Sequence, residues 1–103
     1  MNEKKYEKEL KDKIKKLLPG CVIMKNDPER RQGVPDILIL YKRYWGMLEI
    51  KIDETAPHQP NQDHYVNLYN ELSFAAFINP NNEEAVLNDL QQAFGVRGPA
   101  CVS

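Results

Sequence analysis

Two apolar runs separated by only two residues constrain the fold of this chain more than any other feature. The first run, Ile37 to Leu40, lies within a predicted strand over residues 33–41, and a second strand is predicted over residues 44–52. Only Lys42 and Arg43 connect them, and so short a connection predicts an antiparallel hairpin. An uninterrupted apolar run is typical of a strand covered on both faces, so we expect helices on both sides of the sheet.

The remaining segments supply those helices and further strands. Apolar residues recur at three- and four-residue steps in three segments, which predicts helices over residues 3–18, 62–72 and 83–94. Short strands are predicted over 21–24 and 74–78, polar loops over 26–32 and 53–61, and a loose tail over 95–103. The order α-β-β-β-α-β-α predicts an α/β fold, a small mixed sheet flanked by helices, in one domain of 103 residues.

Composition narrows the class of protein without giving a function. The net charge of -1 does not by itself indicate a nucleic-acid partner. All but one of the 14 Lys and Arg residues lie within residues 1–51, however, and such asymmetry can make one face basic. Cys21 and Cys101 are too few and too far apart for a disulfide framework or a zinc site. Because the chain has no membrane-length apolar stretch and its lysine-rich start lacks the apolar core of a signal peptide, we expect a soluble, cytoplasmic protein.

Three charged residues stand at matching ends of the predicted hairpin. Asp36 opens the first strand, and Glu49 and Lys51 lie near the end of the second. Side chains alternate between the faces of a strand, so Glu49 and Lys51 share one face, and Asp36 can join them across the hairpin. A plain alternative is a surface ion pair between Glu49 and Lys51 with Asp36 capping a turn. Charges inside apolar runs are costly without a purpose, which favours a functional interpretation.

Two adjacent carboxylates predict a divalent cation. They repel each other, and one is driven towards protonation unless a cation lies between them. Oxygen ligands of this kind suit Mg²⁺, with Mn²⁺ as a substitute. Such a cation polarises a phosphate and lowers the pKa of an attacking water, and a neighbouring lysine can stabilise charge that develops on the phosphate. The constellation is therefore typical of phosphoryl chemistry.

The same residues carry a family resemblance. GVPD at residues 33–36 and EIK at residues 49–51, with Glu49 thirteen positions after Asp36, resemble the PD-(D/E)xK nuclease superfamily. The nearest branch is the small stand-alone VRR-NUC domains of phages and bacteria, which are related to Holliday-junction resolvases. The resemblance extends to about Phe94. It implies a restriction-endonuclease-like α-β-β-β-α-β core, here followed by an extra C-terminal helix, in a bacterial cell or a phage-infected host.

The resemblance also implies roles for individual residues. Asp36, Glu49 and the main-chain carbonyl of Ile50 correspond to the metal ligands of the family, and Lys51 corresponds to its catalytic lysine. Members of this branch have a glutamine at the start of the helix that follows the third strand, which here matches Gln62. Gln59 is the weaker alternative because it precedes a proline in the loop.

Many members of the family add a glutamate from the first helix. Glu3 and Glu7 both lie on or beside the apolar stripe of the first predicted helix, at about 100° per residue. We choose Glu7, which lies within the amphipathic turn rather than at the end of the helix. An i,i+4 ion pair with Lys11 is an equally good interpretation of Glu7.

The implied activity is that of a Mg²⁺-dependent endonuclease, a homodimer that cuts branched DNA. Lys25, Arg30 and Arg31 precede Asp36 in a polar loop and are predicted to contact the DNA backbone, with simple solvation as the rival interpretation. A module that binds DNA or a protein without cutting is the alternative function. His58 and His64 are expected to be solvated rather than part of the site.

Overall fold

The sheet contains four strands that lie side by side in chain order, β1-β2-β3-β4. The computed structural model describes residues 2–27 and 29–96. Its elements are α1 (Glu3–Leu17), β1 (Val22–Lys25), β2 (Ile37–Tyr41), β3 (Tyr44–Ile50), α2 (Gln62–Leu72), β4 (Phe74–Ile78) and α3 (Glu83–Ala93). The predicted α/β class and the order of elements are both confirmed.

The pairing of the strands is mixed, as predicted. β1 pairs with β2 and β2 pairs with β3 in antiparallel fashion, whereas β3 and β4 are parallel and are joined through α2. The β2–β3 register pairs Ile37 with Leu48. One step beyond this pair, Asp36 therefore lies opposite Glu49, at the end of the hairpin that is remote from its turn.

The main core lies between α1, α3 and one face of the sheet. Asn2 caps α1, and its side chain accepts a hydrogen bond from the Lys5 amide at 2.8 Å. The helices contribute Tyr6, Leu10 and Ile14 from α1 and Val86, Leu87 and Leu90 from α3. These side chains cover the inward residues of three strands, which are Ile37, Ile39, Leu48, Ile50 and Ile78. Full burial of each such aliphatic side chain contributes roughly 1.5–3 kcal/mol, so this face holds the sheet in place.

The opposite face is only half covered, which corrects the expectation of a sheet buried on both sides. α2 packs over β3 and β4, where Trp45 meets Tyr69 edge to face with ring centroids 6.2 Å apart. On the β1–β2 half of this face, Val22 and Met24 remain 53% and 51% exposed, and Leu40 is also exposed. The reason is topological, because α2 crosses between the last two strands and covers the part of the sheet nearest to them.

Strand boundaries depart from the predictions where local backbone geometry intervenes. β2 begins at Ile37 rather than at Gly33, since Gly33 adopts a φ of 91° and Pro35 has no amide hydrogen for a ladder. β3 ends at Ile50 rather than at residue 52, although the Lys51 amide still donates to the Ile78 carbonyl at 2.9 Å.

Several other boundaries shift by one residue or are confirmed. β1 covers Val22–Lys25 instead of 21–24, so Lys25 belongs to a strand and not to the loop. α1 ends at Leu17, and α3 ends at Ala93 with Phe94 as its C-cap. The predicted bounds of α2 and β4 are confirmed.

The C-terminal segment is attached to the core as far as it is described. The Val96 amide donates to the Gln91 carbonyl at 2.8 Å, and Val96 packs against the core. The prediction of a loose segment is therefore wrong for residues 95–96, while residues 97–103, including Cys101, lie outside the described residues. No helix in the described part of the chain is long and apolar enough to span a membrane.

Candidate active site

Asp36 joins the open ends of the β2–β3 hairpin. Its Oδ2 accepts a hydrogen bond from the Ile50 amide at 2.8 Å. Asn26 holds residues 35–36 from the other side. Its main-chain amide donates to the Asp36 carbonyl and its side-chain Nδ2 donates to the Pro35 carbonyl, both at 2.8 Å. Asp36 is thus fixed by Ile50 of β3 and by Asn26, which directly follows β1, and its carboxylate lies at the position that strand pairing predicted.

Glu49 is the most deeply buried charged side chain of this site, at 4% exposure. Its Oε2 accepts from Gln62 Nε2 at 2.9 Å, whereas Oε1 has no hydrogen-bond partner among the described residues. Burial first, and the nearby charge of Asp36 second, raise the pKa of Glu49 to about 8. Lys51 opposes this shift but does not outweigh the two larger effects.

Lys51 is held beside the carboxylates with little freedom to move. Its Nζ donates to Gln62 Oε1 at 2.7 Å and to the Pro57 carbonyl at 3.0 Å. The distance from Nζ to Glu49 Oε2 is 3.8 Å, an ion pair without a direct hydrogen bond. The ammonium group is therefore adjacent to Glu49 while its hydrogens are directed to neutral oxygens.

Gln62 connects the acidic and basic parts of the site. Its Nε2 donates to Glu49, and its Oε1 accepts from both Lys51 Nζ and the Gln59 amide, the latter at 2.8 Å. These three bonds define the orientation of the side-chain amide. The structure therefore brings Gln62, the glutamine chosen from the sequence, to the carboxylates, and Gln59 contacts it through the main chain.

The carboxylates lie in an open cleft of about 470 Å³. Its eight lining residues include three acids and three glutamines: Glu29, Asp36, Glu49, Gln32, Gln59 and Gln62, together with Gly33 and Val34. Two chain segments form the walls, one preceding β2 and one preceding α2. A cleft with this lining has a surplus of negative charge and so favours a cation between its walls.

Glu7 is engaged with two lysines on the other side of the sheet. Its carboxylate lies 2.9 Å from Lys11 Nζ and 3.1 Å from Lys25 Nζ. Burial acts to raise the pKa of Glu7, but the two ammonium groups together hold it below its ordinary value. The ion-pair interpretation of Glu7 is thus the one that the structure contains. The charge of Glu3, at the start of α1, is the smallest of the influences that raise the pKa of Glu49.

The predicted DNA-contacting residues are divided between two places. Lys25 lies on β1 and is paired with Glu7, so it does not belong to the loop as predicted. Arg30 and Arg31 are exposed in the loop that also supplies Glu29 and Gln32 to the cleft. Arg30 Nε is 3.9 Å from Asp27 Oδ2, an exposed pair that contributes little.

Some contacts of the site have no signal in the sequence. The Pro57 carbonyl that accepts from Lys51 is a main-chain group of a loop. His58 stacks on Phe77 with centroids 4.0 Å apart, and its Nδ1 is 2.8 Å from Asp63 Oδ1. His58 is exposed and outside the cleft lining, as expected, although it also makes these two contacts. Phe77 is the residue of β4 that is paired with Glu49.

Neither a ready-made group of metal ligands among the described residues nor a similar protein indicates the function, so the inference depends on the chemistry of the site residues. Within residues 2–27 and 29–96, no group of three or more His, Cys, Asp or Glu side chains is arranged to hold a metal ion. The predicted metal set has two carboxylates and a main-chain carbonyl. Neither protein-family models, nor curated proteins, nor solved structures gave a match to this chain.

Proposed function

We propose that the protein is a metal-dependent DNA endonuclease of the PD-(D/E)xK superfamily, similar to small VRR-NUC domains and selective for branched DNA. One observation carries the proposal: Glu49 is buried opposite Asp36 and beside Lys51, with one carboxylate oxygen unpartnered among the described residues. The order of elements from α1 to β4 supports it, since that order is the one which the resemblance implies.

The residues present fit a divalent cation. A buried carboxylate oxygen without a hydrogen bond is expensive, and a cation in the cleft would compensate for it. Asp36, Glu49 and the main-chain carbonyl of Ile50 would hold Mg²⁺ or Mn²⁺, which prefer oxygen ligands. When bound, such an ion supplies Lewis acidity, which polarises a phosphate and lowers the pKa of a water molecule.

The other side chains of the site have roles that depend on their fixed positions. The Lys51 ammonium, held by Gln62 and the Pro57 carbonyl, stabilises negative charge that develops on the phosphate oxygens during hydrolysis. Such preorganised charge acts without reorganisation at the moment of reaction. Gln62 orients Lys51 and Glu49 relative to each other, and Asp36 holds its carboxyl group opposite Glu49.

Cleavage assays on the purified protein test the assignment. We expect cleavage of junction and flap DNA in Mg²⁺ or Mn²⁺ and none in EDTA. Asp36→Asn, which retains an acceptor for the Ile50 amide, should abolish both cleavage and Mn²⁺ binding measured by calorimetry. Asp12→Asn, at an exposed position of α1, is the matched control. Cleavage in EDTA, or equal Mn²⁺ affinity in the wild type and Asp36→Asn, would contradict the proposal.

Lys51→Met separates hydrolysis from the alternative function, a module that binds without cutting. The variant should lower the single-turnover cleavage rate by about 10²–10³-fold, with little change in DNA affinity, because the ammonium acts mainly in the transition state. Lys16→Met, at an exposed position, serves as the control. A parallel loss of affinity and rate would make Lys51 a phosphate-binding residue instead.

A further inference from the structure

The two walls of the cleft meet at Gly33. Gly33 lies in the wall that leads to Asp36, and it packs against Pro60 and Asn61 in the wall that leads to Gln62. A Cβ atom at Gly33 would lie 2.7 Å from Asn61 Cβ and 2.8 Å from both the Asn61 carbonyl carbon and the Pro60 oxygen. Such distances are too short for a methyl group, so the two backbones touch only because this residue is glycine.

Asn61 has an unusual backbone at the same contact. Its φ is 71°, in the left-handed region, at a cost of roughly 1 kcal/mol. It is the N-cap of α2, yet its side chain makes no capping hydrogen bond in the described chain, although an Asn at this position usually does. Ordinary capping therefore does not explain its conformation. The next residue is Gln62, whose direction follows from the backbone at Asn61.

We propose that the contact between Gly33 and Asn61 sets the separation of the two cleft walls, and that Gly33 is a positioning residue for Gln62 and Asp36. Asp36 lies three residues after Gly33, and Gln62 directly follows Asn61. The contact thus fixes the position of the Asp36 carboxylate relative to the Gln62 side-chain amide, which binds Glu49 and Lys51. The catalytic consequence rests on the proposed function, whereas the effect on the Gln62 side chain does not.

The chain offers a matched control for this contact. Gly20 has a φ of 88°, close to the 91° of Gly33, but a Cβ built there meets no described atom within 4 Å. Gly20→Ala therefore introduces the same backbone strain without a collision. The difference between Gly33→Ala and Gly20→Ala isolates the effect of forcing the walls apart.

Two measurements compare these variants. In Gly33→Ala we expect the side-chain amide of Gln62 to exchange with solvent at least tenfold faster by NMR. The cleavage rate at saturating DNA should fall about a hundredfold, the scale expected for misplacement by about 1 Å. Gly20→Ala should retain wild-type amide exchange and rate. Wild-type amide exchange in a folded Gly33→Ala protein would overturn the proposal, even if no variant cleaves DNA.

A second pair of variants approaches the contact from Asn61, in case Gly33→Ala does not fold. Asn61→Gly tolerates the positive φ and keeps the backbone approach, so Gln62 exchange should match that of the wild type. Asn61→Ala disfavours this φ and should accelerate Gln62 exchange in a folded protein. Equal exchange in the two variants would contradict the proposal. Slow Gln62 exchange together with no cleavage by the wild type would instead remove the nuclease assignment and leave the positioning role in place.

Discussion

Glu49 combines deep burial with a carboxylate oxygen that has no partner among the described residues. Its raised pKa of about 8 reflects the free energy needed to keep a charge there. In an unfolded chain a glutamate has a pKa near 4.5, so the folded protein binds a proton that the unfolded chain has released. Between pH 4.5 and pH 8, rising pH therefore favours unfolding.

The metal-free protein should lose stability between about pH 4.5 and pH 8, and Glu49→Gln should remove this loss. The unfolded chain binds fewer protons across this window, so the free energy of unfolding falls with pH until Glu49 is ionised in both states. We expect the variant to be more stable than the wild type by about 4 kcal/mol at pH 8 in EDTA. Urea unfolding at a series of pH values measures the difference.

Glu9→Gln, at an exposed position of α1, is the control and should follow the wild type. Adding Mn²⁺ at pH 8 should stabilise the wild type and leave Glu49→Gln nearly unchanged, because binding to the folded state alone adds to stability. A Glu49→Gln curve parallel to that of the wild type would show that Glu49 is ionised at ordinary pH.

At the scale of residues, the sequence predicted the positions that follow from strand alternation. Asp36, Glu49 and Lys51 were placed correctly because two neighbouring strand ends determine which side chains meet. For Glu7 the structure contains the ion pair with Lys11, because helical periodicity defines a face but not which partners a side chain on that face meets. The Pro57 carbonyl could not be predicted, because any loop carbonyl is chemically equivalent until the loop has a conformation.

At the scale of elements, the loop before β2 carries both cleft residues and exposed arginines. Arg30 and Arg31 lie between the cleft residues Glu29 and Gln32 in this loop. The sequence placed the loop correctly but extended β2 back to Gly33, because a run of apolar and small residues does not reveal a positive φ. The interruption matters, since it lets the loop turn towards α2 instead of continuing the sheet.

Replacing Arg30 and Arg31 together by glutamine should weaken DNA binding without changing the chemical step. Two phosphate contacts fewer should lower the slope of log affinity against log salt by about 2. The cleavage rate at saturating DNA should remain that of the wild type. Fluorescence anisotropy at several salt concentrations, together with single-turnover cleavage, gives both values.

The control is Lys42→Gln with Arg43→Gln, which removes two charges at the other end of the hairpin. This pair should change the salt slope little. If it matched the effect of the loop variant, general charge rather than the loop would account for binding.

At the scale of the whole molecule, the two faces of the sheet differ. One face carries the core under α1 and α3, and the other is covered by α2 over only part of its width. The aromatic residues of β3 and α2 pack against each other, with Trp45 on Tyr69 and Tyr65 on Tyr69. The open half of the sheet, formed by Val22, Met24, Leu38 and Leu40, is an apolar surface of adjacent side chains.

We expect the proposed nuclease to form a homodimer through this open half. Each chain supplies one copy of this cleft and so makes one nick, whereas a two-fold dimer repeats the cleft at a fixed separation, which suits the paired strands of a junction. A net charge of -1 per chain gives little repulsion between copies. Sedimentation should show twice the 11.9 kDa mass of the chain, and Met24→Lys should give a monomer.

Leu72→Lys, on the exposed side of α2, tests α2 as an alternative interface. It should leave the dimer intact, and a monomer in this variant alone would place the interface on α2. A wild-type monomer that cuts linear duplexes as readily as junctions would leave the nuclease assignment standing and remove junction selectivity.

The edge-to-face contact between Trp45 and Tyr69 makes tryptophan fluorescence a probe of the packing of α2 against the sheet. Trp45 is the only tryptophan in the chain, and it lies between β3 and α2, not in the core under α1 and α3. Its emission therefore depends on whether α2 is seated on the sheet. Gln62, which binds Glu49 and Lys51, is the first residue of that helix. The wavelength of tryptophan emission therefore reports on the position of the helix that orders these two residues.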